Sequence, residues 1–355
     1  MKKKSFFNRW ISYVFLILCP SVSIHGVDHV SNPFVIDFTK TEELTHDDYI
    51  YIQNELRKKN IGPLIEELYE EAKSIYGRKR ADLGYFYVNC SRFMHLTFID
   101  PSTNRFPRVE LIQINEGGDN CVVSSAPYEI EYPELLLNQI ESLKHTGFNG
   151  YFLMFLGAYP NPTGVEISYA GVPYAVKIFA MVEAHKRGFN KVLWLDCAMQ
   201  AQRDITPIFD EIEKNEFVGH YFDPTESRSK LTLPATRRIL EQCTSVDVVN
   251  VPHVVASVLG LKMDAPLAQS FIQNFYECVQ LGTPFLSCLP EEFVYSAILG
   301  QSKYEHWMKT SLAFRQSLPG PLYHRISRNR NVKDSHGYFF DVHKHSLPRD
   351  WKNKK

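Results

Sequence analysis

The stretch KVLWLDCAMQAQRDITPIF, residues 191–209, decides the fold because an apolar run ends abruptly at Asp196. The run before it predicts a buried strand. A strand interior does not hold an unpaired carboxylate, because removing the charge from water costs more free energy than one contact returns. We therefore predict that Asp196 lies where the strand ends and faces a cleft. The alternative is an aspartate that caps the following segment.

Upstream of this stretch, buried-strand patterns alternate with helical patterns. NCVVSSA (120–126) and GYFLMFLGAYP (150–160) predict strands, whereas YPELLLNQIESLKHTGF (132–148) and PYAVKIFAMVEAHKRGF (173–189) predict helices. This alternation predicts an α/β fold with a mostly parallel sheet and helices on both faces. Ligands of open α/β sheets bind beyond the carboxyl ends of the strands, which is where Asp196 falls.

Composition excludes several classes of function. The chain has 355 residues, of which 44% are hydrophobic, enough for one large α/β core or two modest ones. Its 39 Lys and Arg against 40 Asp and Glu give no basic field, so we expect no nucleic-acid partner. The sequence contains no GxSxG, GxxxxGK[ST], GxGxxG or HExxH, which excludes the hydrolase elbow, the P-loop, the dinucleotide fingerprint and the zincin motif.

The cysteines contain no CxxC pair, which argues against a zinc ribbon or a thioredoxin-type site. Cys121 and Cys197 fall in predicted buried strands, where we expect them to act as small apolar residues. If the chain is exported, Cys243, Cys278 and Cys288 are the favoured participants in one or two disulfides.

Two blocks of the sequence resemble the glycosyltransferases of the GT-A fold, which transfer sugars from nucleotide diphosphate donors. The matching residues lie in the helix before the strand that leads to Asp196, at the end of that strand, and in the segment after it. They are Pro173, Tyr174 and Lys177, then Trp194, Leu195 and Asp196, then Arg203, Asp204, Ile205, Pro207 and Phe209. Further segments, including LPEEFVYSAIL, are similar to the acceptor side of such enzymes. The resemblance covers residues 121–299.

The resemblance implies a GT-A-like, Rossmann-like fold and a set of site residues. It implies that the donor is bound by Asp196, Ala126, Tyr174, Lys177 and Arg203. Two of these residues have an alternative role in place of donor binding: Lys177 is a cation on the helix surface, and Arg203 pairs with Asp204. The acceptor is a glycan, a lipid or a protein.

The family motif also implies a divalent cation, Mn²⁺ or Mg²⁺, but its last acid is replaced here by Ala198. We therefore predict a metal site that is weakened or absent, with Asp196 and His343 as its candidate ligands. If no metal binds, cations such as Lys177, Arg203 and the C-terminal arginines Arg325, Arg328 and Arg330 must neutralise the diphosphate. In an extended chain, residue 198 would point to the same side as Asp196.

Glu291 and Glu292, in the segment PEE, are the candidate catalytic residues. Sugar transfer to a hydroxyl requires removal of its proton, and a carboxylate near the acceptor is the usual base. The alternative is the ordinary preference for acidic residues in the first turn of a helix.

Four regions are predicted along the chain. Residues 1–25 have the basic start and short apolar run of a signal peptide or an uncleaved membrane anchor, so we expect export through the secretory pathway or membrane association. Residues 26–117 form a helical and strand extension. Residues 118–315 form the GT-A-like nucleotide-sugar-binding domain. Residues 316–355 form a basic, aromatic tail, which is either a lid that closes over a diphosphate or a solvated tail.

We therefore predict a glycosyltransferase that moves a sugar from a nucleotide diphosphate to a hydroxyl acceptor. Two alternatives stay open from the sequence. One is a catalytically inert sugar- or nucleotide-binding protein on the same fold, favoured by the loss of the acid at position 198. The other is a structural envelope protein, which fits the N-terminal segment but leaves the strand that ends in Asp196 unexplained.

Overall fold

The structure is a computed structural model of the full chain. It describes residues 42–43, 108–126, 132–157, 160–161, 172, 174–222, 234–281, 283–285, 289–318, 323–325 and 340–342. The predicted signal segment, most of the predicted extension and His343 lie outside the described residues.

The strands of the described part are, in chain order, β1 (Glu42–Glu43), β2 (Arg108–Ile114), β3 (Asn120–Ala126), β4 (Gly150–Leu156), β5 (Pro160–Asn161), β6 (Lys191–Leu195), β7 (Met199–Ala201), β8 (Phe217–Phe222), β9 (His253–Lys262), β10 (Tyr323–Arg325) and β11 (Phe340–Val342). Six of them form the main sheet, in the order β2-β4-β3-β6-β9-β8. The short strands β1 and β5 pair with each other in antiparallel fashion.

The helices are α1 (Tyr132–His145), α2 (Val176–Lys186), α3 (Thr206–Asn215), α4 (Pro234–Thr244), α5 (Pro266–Leu281), α6 (Pro290–Leu299) and α7 (Glu305–Ser317). Single 3₁₀ turns occupy Thr283–Phe285 and Ser302–Tyr304. Pro207 and Pro290 each stand in the first turn of a helix, where the missing N–H has no intrahelical acceptor to lose.

The α/β class is confirmed, but the sheet is mixed rather than mostly parallel. Strands β4, β3 and β6 run parallel to one another, whereas β2, β9 and β8 join through antiparallel pairings. Residues 108–114, which the sequence placed in the extension, form an edge strand of this same sheet. Apolar patterns identify buried strands but do not encode their direction, which explains the difference.

Helices cover both faces of the sheet, as predicted, because successive side chains of the strands point to opposite faces. Val192 and Trp194 of β6 point into one apolar cluster, which also contains residues of α2, α5 and α6. Leu193 and Leu195 point into the other, which contains residues of α1 and α3. Each face of β6 is therefore buried, which accounts for its continuous apolar run.

A second, three-stranded sheet forms beside the end of β6. In it β7 pairs with β11 in antiparallel fashion, and β11 pairs with β10 in parallel. The register places Val342 opposite Met199 and Phe340 opposite Ala201. Part of the C-terminal tail therefore lies against the segment that directly follows Asp196.

Among the described residues, no helix has both the length and the apolarity needed to cross a bilayer.

The cysteines of the described part form no disulfide with one another, and two of them are neighbours. Cys243 on α4 is exposed, Cys278 on α5 is buried, and their thiols are hydrogen-bonded to each other. Cys121 and Cys197 are buried, as expected, although Cys197 lies in the turn after β6 rather than in a strand.

We expect oxidised glutathione to join Cys243 and Cys278 in a disulfide by thiol–disulfide exchange. The bond would link α4 to α5 and raise the free energy of unfolding by on the order of 2 kcal/mol, because it constrains the unfolded chain. Mass spectrometry of digested protein would detect a linked peptide pair that has lost two hydrogen atoms. Cys243→Ser is the control, and persistence of both free thiols in the oxidised parent would contradict the prediction.

Candidate functional site

Asp196 is fixed by its backbone at the carboxyl end of β6. Its N–H donates to the carbonyl of Ser257 at 3.0 Å. Its carbonyl accepts from the backbone N–H of Met199 at 2.8 Å and from Nε2 of Gln139 at 2.9 Å. Both the sheet and α1 therefore hold the residue, and its side chain has a defined direction.

The Asp196 side chain points towards the face of the sheet that α2 and α6 cover. Its Oδ1 accepts from Nζ of Lys177 at 2.8 Å and from Nε1 of Trp194 at 3.1 Å. The Asp196 side chain is 22% exposed, so solvent reaches it although its Oδ1 is paired with Lys177. The prediction that Asp196 lies where the strand ends is confirmed.

Lys177 is a buried cation with acceptors on three elements. Besides Asp196, its Nζ contacts Oε1 of Glu291 at 2.9 Å and donates to the carbonyl of Ala256 at 3.1 Å. Burial acts to lower the pKa of Lys177, but the carboxylates of Asp196 and Glu291 outweigh it and raise that pKa well above its usual value. Lys177 therefore carries its charge at neutral pH, and it is not the helix-surface cation of the alternative interpretation.

Two aromatic rings lie near the Lys177 ammonium. Its Nζ is 5.4 Å from the centroid of the Tyr174 ring and 5.7 Å from the centroid of the Trp194 ring. Tyr174 has a φ of 60°, in the left-handed region that bulky side chains rarely adopt. Such strain costs on the order of 1 kcal/mol and persists only where the surroundings enforce it. The turn before α2 thus places an aromatic ring beside the buried cation at an energetic cost.

Glu291 and Glu292 begin α6 and bring two carboxylates to the same edge of the sheet. Burial raises the pKa of Glu291, and the opposing effect of Lys177 does not cancel it. Glu292 accepts from Nε2 of His253 at 2.8 Å and from the N–H of Ala256 at 3.3 Å. Although burial opposes it, the hydrogen bond from His253 leaves the pKa of Glu292 below its usual value.

Two residues of this cluster were not predicted from the sequence. His253, at the start of β9, is a buried partner of Glu292. Tyr295 lies one turn after Glu291 on α6; its hydroxyl is fully buried and has no hydrogen-bond partner among the described residues. Burial raises the pKa of Tyr295 well above its usual value, so the hydroxyl keeps its proton. Tyr295 lies within the segment LPEEFVYSAIL, but no spacing in the sequence distinguished it or His253, so their positions emerge only from the fold.

The remaining predicted residues lie at or after the ends of other strands. Ala126 ends β3, is fully buried, and accepts the N–H of Gly157 at 2.8 Å through its carbonyl. Arg203 is half-buried just after β7. Asp204 accepts from the N–H and the hydroxyl of Thr206 at the start of α3, at 3.0 and 2.8 Å. The roles assigned to Ala126 and Arg203 stay predictions.

Residue 198 does not lie on the same side as Asp196, so that expectation is wrong. Cys197 and Ala198 form a turn, closed by the bond from Met199 to the carbonyl of Asp196, and extended-chain alternation does not apply. Ala198 is buried in the apolar cluster of α1 and α3, whereas the Asp196 side chain meets Lys177 of α2.

We expect Ala198→Asp to lower the free energy of unfolding by about 2 kcal/mol, because it buries a carboxylate without a cation. Gln202→Asp is the matched control, since it adds the same charge at an exposed position and should change stability by less than about 0.5 kcal/mol. Urea denaturation compares the two. Equal stability of the variants, together with tighter manganese binding by Ala198→Asp, would contradict this placement.

No protein-family model and no curated protein matches the chain. Among solved structures, the chain is similar to the apo form of mouse xyloside xylosyltransferase 1, with 12% sequence identity and a TM-score of 0.26. The match covers 49% of this chain and 58% of that chain. A likeness at this TM-score establishes neither a shared fold nor a shared activity, so the functional conclusion depends on the geometry around Lys177.

Proposed function

We propose that the chain is a glycosyltransferase that uses a nucleotide diphosphate sugar, on a GT-A-like variant of the mixed α/β sheet. The observation that carries this proposal is the position of Asp196, which is part-exposed at the carboxyl end of a strand inside the main sheet. Ligands of α/β sheets bind at that edge. The sequence motifs around Asp196 and Lys177 resemble those of nucleotide-sugar-dependent enzymes and support the same conclusion.

In this proposal Asp196 accepts hydrogen bonds from hydroxyls of the donor. Lys177 does not reach the donor itself, because its ammonium is buried and has protein acceptors on three elements. It acts instead through Asp196, whose rotamer it fixes. Cations that remain outside this cluster, such as Arg203 and the arginines of the tail, then neutralise the diphosphate.

Glu292 is the better candidate for the base of the two predicted carboxylates. Glu291 contacts Lys177 at 2.9 Å and is 7% exposed, whereas the Glu292 side chain is 14% exposed. The lowered pKa of Glu292 keeps it ionised at neutral pH, which a proton acceptor requires. His253 positions Glu292 through the hydrogen bond between them. The acceptor hydroxyl belongs to a glycan, a lipid or a protein.

The proposal places this reaction in an exported or membrane-associated protein, on the basis of the N-terminal 25 residues alone.

A thermal-shift panel of nucleotide diphosphate sugars, each with manganese and with a chelator, tests donor binding. A ligand that binds only the folded chain stabilises it, by about 2.7 kcal/mol at a hundredfold excess over Kd. We expect one donor to raise the melting temperature and to release free nucleotide when an acceptor is present. Binding without release would favour the inert binding protein, and no response to any donor would favour the structural role.

Asp196→Asn tests the residue on which the proposal rests. The variant keeps the size of the side chain and removes its charge, so we expect donor binding to weaken by about 1–3 kcal/mol while the chain remains folded. Asp210→Asn, at an exposed position of α3, is the matched control and should bind the donor like the parent. Calorimetry measures both, and equal affinity of the two variants would overturn the assignment of Asp196.

A further inference from the structure

The Lys177 ammonium lies in a cage of three oxygens. Three residues from different parts of the fold provide these oxygens, at the following distances from Nζ of Lys177. Asp196, after the end of β6, provides Oδ1 at 2.8 Å, Glu291 of α6 provides Oε1 at 2.9 Å, and Ala256 of β9 provides its carbonyl oxygen at 3.1 Å. Carboxylate and carbonyl oxygens are the ligands that hard cations prefer. The cage therefore has the chemistry of a cation site whose occupant is a side chain of the protein.

The residues present do not fit the divalent cation that the family motif implies. The Asp196 oxygen that faces the interior already accepts from Lys177 and Trp194, and Ala198 is turned into the opposite apolar cluster. A divalent ion on Asp196 would also meet the positive charge of the neighbouring ammonium. Within the described part of the chain, no three His, Cys, Asp or Glu side chains form a group that could hold a metal ion.

A second observation concerns Tyr295, which follows Glu291 by one turn of α6. The Tyr295 hydroxyl is fully buried, has no hydrogen-bond partner among the described residues, and lies on the same face of α6 as Glu291. A buried hydroxyl without a partner carries a desolvation cost that an added ligand or water would relieve.

We propose that the Lys177 ammonium is a built-in substitute for a metal ion at Asp196, and that the cage binds a divalent cation once that ammonium is removed. The natural chain then takes up no Mn²⁺ or Ca²⁺ at this edge of the sheet. In Lys177→Ala the two carboxylates lose their cation, the Ala256 carbonyl loses its donor, and the volume of the lysine side chain becomes available to water ligands. With the ammonium in place of the metal ion, donor binding would not depend on metal. That consequence deepens the proposed function and rests on it.

Manganese titration followed by electron paramagnetic resonance, without any nucleotide, tests the cage itself. The full-length parent and Asp196→Asn should take up the same amount of Mn²⁺. Lys177→Ala should gain one site with an affinity at least about tenfold higher than any site of the parent, and Lys177→Ala/Glu291→Gln should lose it again. Calcium should compete for the gained site.

A parent site for Mn²⁺ that Asp196→Asn abolishes would overturn the proposal. So would a folded Lys177→Ala that gains no site, or one that stays unfolded in an excess of both cations. A Lys177→Ala variant that folds only when Mn²⁺ or Ca²⁺ is present would support it. Because nucleotide is absent throughout, these results stand whether or not the chain proves to be a glycosyltransferase.

Discussion

Replacing Lys177 with methionine should lower the free energy of unfolding by about 3–5 kcal/mol, the usual cost of removing one partner from a buried ion pair. The methionine retains the apolar stem but leaves Asp196 and Glu291 without their shared cation. Both Lys177 and Glu291 are almost fully buried, with side-chain exposures of 6% and 7%, so water cannot replace the ammonium. Equilibrium denaturation in urea at neutral pH measures the loss.

Two further variants separate the ion pair from the change of side chain. Lys214→Met makes the same substitution at an exposed position of α3 and should change stability by less than about 0.5 kcal/mol. Lys177→Met/Glu291→Gln removes one of the two unpaired carboxylates and should recover part of the loss, because neutral groups tolerate burial better than charges do. If Lys177→Met were as stable as Lys214→Met, the cation would not hold this edge of the sheet together.

The free energy of unfolding should also fall by about 3 kcal/mol as the pH is lowered from 6.5 to 4, because His220 becomes protonated more easily in the unfolded chain. Burial and the positive charge of the nearby Arg315 lower the pKa of His220 from 6.5 to about 4. The negative charge of Glu292 acts to raise that pKa, but its effect is weaker. A depressed histidine pKa means that the unfolded chain binds the proton first. The stabilising contribution is therefore complete above pH 6.5 and is lost as the pH falls towards the folded value.

His220→Gln should flatten this pH dependence, since the amide does not titrate. The exposed His306→Gln is the matched control and should follow the parent. Part of the slope will remain in both variants, because the lowered pKa of Glu292 acts in the same direction as the pH falls. Urea denaturation at a series of pH values gives the curves, and an unchanged slope in His220→Gln would contradict the assignment.

Local sequence pattern was sufficient for the elements that lead to Asp196. The strand 120–126 was predicted with the bounds that the structure shows, and the helix and strand before Asp196 were predicted with longer bounds than Val176–Lys186 and Lys191–Leu195. These elements are short-range features, because apolar spacing and helix-ending glycines act within a few residues. The grouping of Asp196 with Lys177 was implied by the resemblance to the GT-A glycosyltransferases rather than by apolar spacing.

Features that depend on distant parts of the chain could not be read in this way. The antiparallel direction of β9 is set by its pairing with β6, and only that direction brings His253 to the edge where Asp196 lies. The turn at Ala198 depends on a backbone hydrogen bond that apolar alternation does not signal. Nonlocal pairing and turn geometry therefore decided the parts of the candidate site that the sequence missed.

The pairing of β7 with β11 has a consequence for the order in which the protein is made. The residues of β7 leave the ribosome soon after Asp196, but their partner strand is the last element to be synthesised in the described part of the chain. The segment that follows Asp196 therefore keeps an open backbone edge until β11 has been synthesised. A nascent chain can bury its central strands early, yet it completes the surroundings of Asp196 only after β11 has left the ribosome.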